Sequence, residues 1–244
     1  MTVTRDAFYD GKVHIFQPAT GFRAGTDSVL LAAALDAGGT GEALDLGCGA
    51  GGALLPAAYR CPRMSFHGID RDLSAVELAR RGVRENAFQD RVEIVHGDAG
   101  ALVGDWENRF DLVFSNPPFF GEGTIKAPGE GKGAAYLESL PLKGWLDAML
   151  FALRPKGTLV LIHRAAELAR ILAQIERRTG EIAVMPVWSF PGADAKRVIV
   201  RARKGLRSGP MRLLAGIDLY TAKGGEPSAL MQGVARDGEG LDWD

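Results

Sequence analysis

Short runs of β-branched and apolar residues recur along this chain, and helix-length segments separate most of them. Two strands can lie parallel only if a crossover of a dozen or more residues returns the chain to the starting edge. The alternation therefore predicts an α/β fold, a largely parallel sheet with helices on both faces. Strands are expected at 43–46, 64–69, 92–95, 110–115, 157–162, 182–188 and 197–202. A helix is expected over 74–85, opened by Ser74 as N-cap with Glu77 three residues on. Another is expected over 145–153, stopped by Arg154-Pro155-Lys156-Gly157. The last two strands are separated by a short turn around Phe190-Pro191-Gly192-Ala193-Asp194, too little for a crossover helix. That pair should be an antiparallel hairpin at one end of the sheet, making a seven-stranded, mostly parallel sheet with one antiparallel strand near the C-terminus.

At 244 residues with a formal net charge of −1, the chain fits one generous domain and carries no global polyelectrolyte signal. Any nucleic-acid contact must come from a local basic patch. Cys48 and Cys61 are too far apart for a metal-binding Cys-x-x-Cys pair and suggest no disulfide framework, so a reduced, cytoplasmic setting is expected. Residues 1–10 carry Asp6 and Asp10 in place of a signal-peptide core. The longest aliphatic stretch, 29–35, is far short of the ~20 residues that span a bilayer. Neither secretion nor membrane insertion is expected.

The first strand runs into Asp45-Leu46-Gly47-Cys48-Gly49-Ala50-Gly51-Gly52. Glycines here let a strand turn sharply into a helix while the backbone approaches a ligand. Gly47, Gly49 and Gly52 also satisfy the G-x-G-x-x-G dinucleotide fingerprint, with Asp70 near the ribose position, so spacing alone leaves a nicotinamide enzyme open. The acids point elsewhere. Asp45 would repel a pyrophosphate but suits the ammonium of a methionine-like ligand. Asp70 can take two ribose hydroxyls, and Asp98, in His96-Gly97-Asp98-Ala99, can accept from an adenine amino group. The plainer alternative is that Asp70 and Asp98 cap the helices that follow them.

This arrangement resembles the first motifs of class I S-adenosylmethionine methyltransferases over roughly residues 42–202. The resemblance implies S-adenosylmethionine as cofactor, bound by Asp45, Gly47, Gly49, Gly51, Asp70 with Arg71, Asp98 with Ala99, and Asn116. It also implies a single domain over 1–244: an N-terminal lid segment at 1–40, a Rossmann-like core at 41–204 and an extension at 205–244; from its weaker periodicity and terminal position, 238–244 is expected to fray.

The fourth strand ends in Asn116-Pro117-Pro118-Phe119. An exocyclic amine is a poor nucleophile because its lone pair is delocalised. Two acceptors gripping its N–H bonds would free that pair, and the Asn116 carboxamide oxygen and Pro117 carbonyl can be those acceptors, their directions fixed by Pro117 and Pro118. Phe119 offers a face for a flipped-out base. A methyl carried on a sulfonium is already activated, so neither strong base nor metal is required. The alternative is an ordinary Pro-Pro turn closing a strand. The tetrad is similar to the N-P-P-[YF] motif of amino-methyltransferases, which act on adenine N6, guanine N2 of ribosomal RNA, or release-factor glutamine.

The stretch from Gly11 to Pro18, followed by Gly21-Phe22-Arg23-Ala24-Gly25-Thr26-Asp27-Ser28, resembles the opening of bacterial tRNA adenine-N6 methyltransferases that modify an anticodon-loop adenine of a valine tRNA. Thr26 or Asp27 would cap a helix beginning near Ser28, and its free N–H groups could hold the methionine carboxylate. Arg23 and Ala24 depart from a lysine or further aromatic common there. RNA, specifically tRNA, is the partner the resemblance implies. In the final hairpin Arg197, Arg201 and Arg203 share one face, and with Lys204, and with Lys126 and Lys132 in the glycine-rich stretch 121–133, they could neutralise RNA phosphates. A solvated edge strand that blocks aggregation is the alternative. His96 and His163 have no second metal-ligand type at chelating spacing and read as packing or supporting groups. A glutamine methyltransferase, a nicotinamide oxidoreductase and a non-catalytic RNA-binding module stay open on residues alone.

Overall fold

The computed structural model describes residues 2–20, 23–102, 104–118, 140–207 and 209–244. In chain order the elements are β1 (Val3–Phe8), β2 (Val13–Pro18), α1 (Thr26–Ala33), β3 (Gly41–Leu46), α2 (Leu54–Arg60), β4 (Met64–Asp70), α3 (Leu73–Glu85), β5 (Val92–His96), β6 (Phe110–Ser115), α4 (Leu142–Ala152), β7 (Leu153–Arg164), α5 (Leu168–Ile175), β8 (Thr179–Trp188), β9 (Ala195–Lys204), β10 (Arg212–Leu213), β11 (Ile217–Asp218) and α6 (Ala229–Gln232). The main sheet has the order β10-β8-β9-β7-β6-β3-β4-β5, with β11 also pairing β8. Strands β3 to β7 run parallel, and β9 is antiparallel to both neighbours.

All seven expected strands are present. The expected hairpin differs in one respect: β9 threads between β7 and β8, so the antiparallel strand lies inside the sheet and β8 lies outside it. Both strands carry consecutive buried residues, Val198-Ile199-Val200 in β9 and Ile182-Ala183-Val184-Met185 in β8, because both faces of the sheet are covered here. The two-residue strands β10 and β11 extend the sheet and are too short to leave a periodic signal.

Alternation along the strands sorts side chains into two cores. Ala43, Phe66, Phe114, Val160, Ile162 and Ile199 face α1, α2, α3 and the N-terminal hairpin. Leu44, Val113, Leu159, Leu161, Val198 and Val200 face α4 and α5. The hairpin β1–β2, not foreseen from the sequence, places Val13 and Ile15 in the first core. Helix α3 is capped by Asp72, whose carboxylate accepts from the backbone N–H groups of Ser74 and Ala75, and Ser74 is the second residue of the helix. An aspartate one position before the first helical residue outcompetes a serine already within the turn.

The expected fraying over 238–244 is overturned. Leu241 N–H donates to the Ala33 carbonyl at 2.8 Å and the Trp243 indole N–H to the Ala34 carbonyl at 2.9 Å, satisfying the open end of α1. Trp243 is only 7% exposed. Replacing it with alanine should therefore cost about 3–5 kcal/mol, read as a lower urea midpoint at unchanged m-value.

Candidate functional site

Parallel strands share a polarity, so the ends of β3, β4, β5 and β6 converge on one edge of the sheet, where α/β folds bind ligands. Asp45 ends β3 and is 2% exposed. One carboxylate oxygen, Oδ2, has no hydrogen-bond partner among the described residues. Burial, and then the negative charge of Asp70, raise its pKa well above the ordinary carboxylate range; a backbone bond from Leu54 opposes this. Behind it, burial pushes the Cys48 thiol up as well, reinforced by Asp45.

The turn after Asp45 needs its glycines. Gly47, with φ +76°, passes so close to the Trp145 ring that a Cβ would lie 2.6 Å from it. Gly49, with φ +53°, borders open space where a ligand's atoms can approach the backbone. Beneath the turn, the Trp145 indole N–H donates to Ser115 Oγ at 2.8 Å, and Ser115 donates to the Leu46 carbonyl at 2.7 Å. This bridge locks β3, β6 and α4 together. The sequence gives no signal for either partner, because a bond between a strand end and a helix leaves no periodic trace.

Asp70 accepts the Gly49 N–H through Oδ2 at 2.8 Å and the Asp72 N–H through Oδ1 at 2.9 Å. It thus braces the glycine turn and does not cap α3. Asp98 does cap: its Oδ1 accepts from Gly100 N–H at 2.8 Å, opening the short turn Ala99–Ala101. Arg71 is exposed, and its carbonyl lies 3.1 Å from His96 Nε2. Ala99 is buried at the same edge.

Asn116 follows β6, and its Oδ1 is buried without a hydrogen-bond partner among the described residues. It lines one pocket together with Asp45, Gly47, Gly49, Ser28 and Gln17. Pro117 is buried and Pro118 exposed. Phe119, Lys126 and Lys132, and with them the expected stacking face, lie outside the described residues.

Gln17 is the contributor sequence reasoning missed. It is 3% exposed at the end of β2, accepts the Ala24 N–H at 2.8 Å and donates to Asp6. Arg23 reaches the same Asp6 oxygen at 2.6 Å and the Pro18 carbonyl at 2.7 Å. The hairpin is thereby fastened over the pocket, and Arg23 has a structural use. The expectation that Thr26 or Asp27 caps α1 is corrected: the helix begins at Thr26, its N-cap is Gly25, and no side chain caps it. Asp27 instead pairs with Arg197 at 2.9 Å, while Ser28 is the residue facing the pocket.

The expected basic face is divided by the length of β9. Arg197 sits opposite Arg164 at the pocket edge. Arg201 and Arg203 pair with Val160 and Thr158 towards the other edge. Lys204 donates to Asn108 Oδ1 and to the Leu150 and Leu153 carbonyls, closing the end of α4. Among the described residues no helix is long and apolar enough to cross a membrane, and no three His, Cys, Asp or Glu are grouped to hold a metal ion.

The residues of the pocket fit a cationic nucleoside donor. Two buried acceptors, Asp45 Oδ2 and Asn116 Oδ1, lack donors among the described residues, and buried polar atoms are almost always satisfied. An open cradle at Gly49 lies beside them.

A profile of the methyltransferase small domain family matches residues 22–127. Over 206 residues the chain is 36% identical to a tRNA1(Val) (adenine(37)-N6)-methyltransferase of Porphyromonas gingivalis, covering 80% of this chain and 79% of the relative. A protein of the same name from Shewanella baltica is 29% identical, with 79% of this chain and 82% of the relative covered. Among solved structures, a predicted O-methyltransferase of Agrobacterium tumefaciens aligns with a TM-score of 0.72 at 23% identity, over 89% of this chain and 98% of the other. TYW2 of P. horikoshii, crystallised with MeSAdo, aligns with a TM-score of 0.59 at 12% identity, over 84% and 72%. At those identities the likeness is one of fold.

Proposed function

The chain belongs to the family of the tRNA1(Val) (adenine(37)-N6)-methyltransferases, and from that premise we propose that it methylates the exocyclic N6 of an adenine in tRNA, adenine 37 of a valine tRNA. The protein is an S-adenosylmethionine-dependent methyltransferase. When bound, the cofactor supplies a methyl group already activated on a sulfonium.

The protein's own residues hold and orient. Asp45 offers a cationic ligand its Oδ2, which no donor among the described residues satisfies. Asp70 fixes Gly49, so the turn keeps its open face. Asn116 Oδ1 accepts one amino N–H and the Pro117 carbonyl the other, so the nitrogen lone pair is free to attack; the proton leaves afterwards. Gln17 and the hairpin close the pocket from above and exclude water. Arg197 and Arg164, at the pocket edge, suit RNA phosphates near the target base. Phe119, Lys126 and Lys132 keep their sequence-based roles within this proposal, and a cytoplasmic setting suits a tRNA substrate.

The observation that carries the reading is the pair of donorless acceptors, Asp45 Oδ2 and Asn116 Oδ1, facing one pocket above the glycine turn. Labelled methyl transfer should enter total tRNA, not release factor, and tRNA from a strain lacking the protein should lose one N6-methyladenosine by nucleoside mass spectrometry. Incorporation into protein alone overturns the proposal.

A further inference from the structure

A second concavity lies at the other edge of the sheet, where β6 begins and β9 ends, and it encloses about 380 Å³. Cavities of that size hold small ligands. Asp111 lines it and Asn116 lines the donor pocket, five residues further along one extended segment. The two sites are therefore roughly 17 Å apart.

Four cationic side chains reach this cavity against three carboxylates, and the carboxylates are engaged. Asp111 pairs with Arg154 and accepts the Glu42 N–H at 2.9 Å. Glu181 pairs with Arg203 at 3.4 Å, and Asp36 accepts the Gly38 N–H at 2.8 Å. Arg203 also donates to the Lys156 carbonyl at 3.0 and 3.1 Å, which holds the turn that presents Lys156. Arg201 is different. Its half-buried guanidinium rests 4.4 Å from the centre of the Trp243 ring, so it is held in place. Yet among the described residues no hydrogen-bond acceptor and no ion-pair carboxylate is assigned to it. Burial, and then Arg212, lower its pKa, although a guanidinium keeps its charge.

A planar fork of donors fixed on an aromatic ring and left without acceptors matches a tetrahedral oxyanion. Arg201 and Lys156 are in no ion pair among the described residues, and set against Asp36, which is also in none, they leave the cavity one net positive charge, which favours an anion. We propose that this cavity binds a phosphate group, gripped by Arg201 and further neutralised by Lys156. The phosphate can come from the backbone of the RNA substrate or from a free phosphorylated metabolite. Neither choice depends on which nucleotide the donor pocket methylates.

Inorganic pyrophosphate is the probe, titrated calorimetrically into protein saturated with S-adenosylhomocysteine so that the donor pocket is filled. One saturable site is expected in the wild type, at least tenfold weaker in Arg201→Gln and in Lys156→Gly. The second variant keeps the test valid if the first fails to fold, because Lys156 has φ +64° and glycine fits that backbone. If RNA supplies the phosphate, Lys156→Gly raises KM for tRNA several-fold at unchanged kcat and pyrophosphate competes with tRNA. If a free metabolite supplies it, KM for tRNA stays constant and competition is absent. No saturable site in the wild type, or wild-type affinity in Lys156→Gly, overturns the proposal.

Discussion

Asn116→Ala lowers methyl transfer by about 10²–10³-fold and leaves S-adenosylhomocysteine affinity within about threefold, as expected when one preorganised polar contact to the reacting group is removed. The argument rests on where the carboxamide oxygen sits. Asn116 Oδ1 is buried and has no donor among the described residues, so the group is already desolvated before any substrate arrives. An amine that engages it regains a hydrogen bond the fold has forgone, and that gain grows as positive charge reaches the nitrogen. Loss of an interaction made chiefly in the transition state appears in kcat rather than in donor binding. Asn116→Asp keeps an oxygen acceptor and should retain more activity than the alanine variant. Single-turnover transfer from labelled donor, beside calorimetric S-adenosylhomocysteine binding, separates the effects. Equal turnover in wild type and Asn116→Ala would remove Asn116 from the mechanism.

Local signals carried much of this site. Asp45, the glycines after it and Asn116 were readable because each sits at the end of a strand with strong apolar patterning, and parallel strands bring such ends together. Pairings across the chain were not readable. Whether Asp98 caps a turn, or whether Asp72 rather than Ser74 caps α3, depends on one residue of register that composition does not resolve. Gln17 and Arg23 depend on a hairpin whose strands alternate weakly at β1, and Ser115 on an indole donated from a helix thirty residues away. The basic residues late in the chain were visible as a cluster. Their separation into a pocket-edge arginine, a cap for α4 and the lining of a distant cavity follows from β9 spanning the whole sheet. The C-terminal tail carried no periodic signal, because its contacts satisfy carbonyls of α1 one at a time.

Asp45→Asn should weaken S-adenosylhomocysteine binding by about 100-fold and yet raise the melting temperature of the ligand-free protein by several degrees. The first effect follows because truncating one partner of a desolvated charge pair costs about 2–5 kcal/mol, and the ligand's ammonium is the cation this carboxylate lacks. The second follows because, without ligand, the carboxylate is buried, one oxygen is unsatisfied, and Asp70 repels it. Its folded pKa is raised, so its contribution to stability is complete below the unfolded value and is lost as pH rises through the folded one. Asparagine removes that loss, and about 2 kcal/mol shifts the melting point of a chain this long by several degrees. Opposite signs are the diagnostic outcome, since a residue that only supports the fold would lower both binding and stability. Affinity of the wild type should also climb with pH, because only the ionised carboxylate attracts the ammonium, whereas Asp45→Asn should give a flat profile. Undiminished binding by Asp45→Asn would mean that the donorless oxygen above the glycine turn serves some ligand other than the methyl donor.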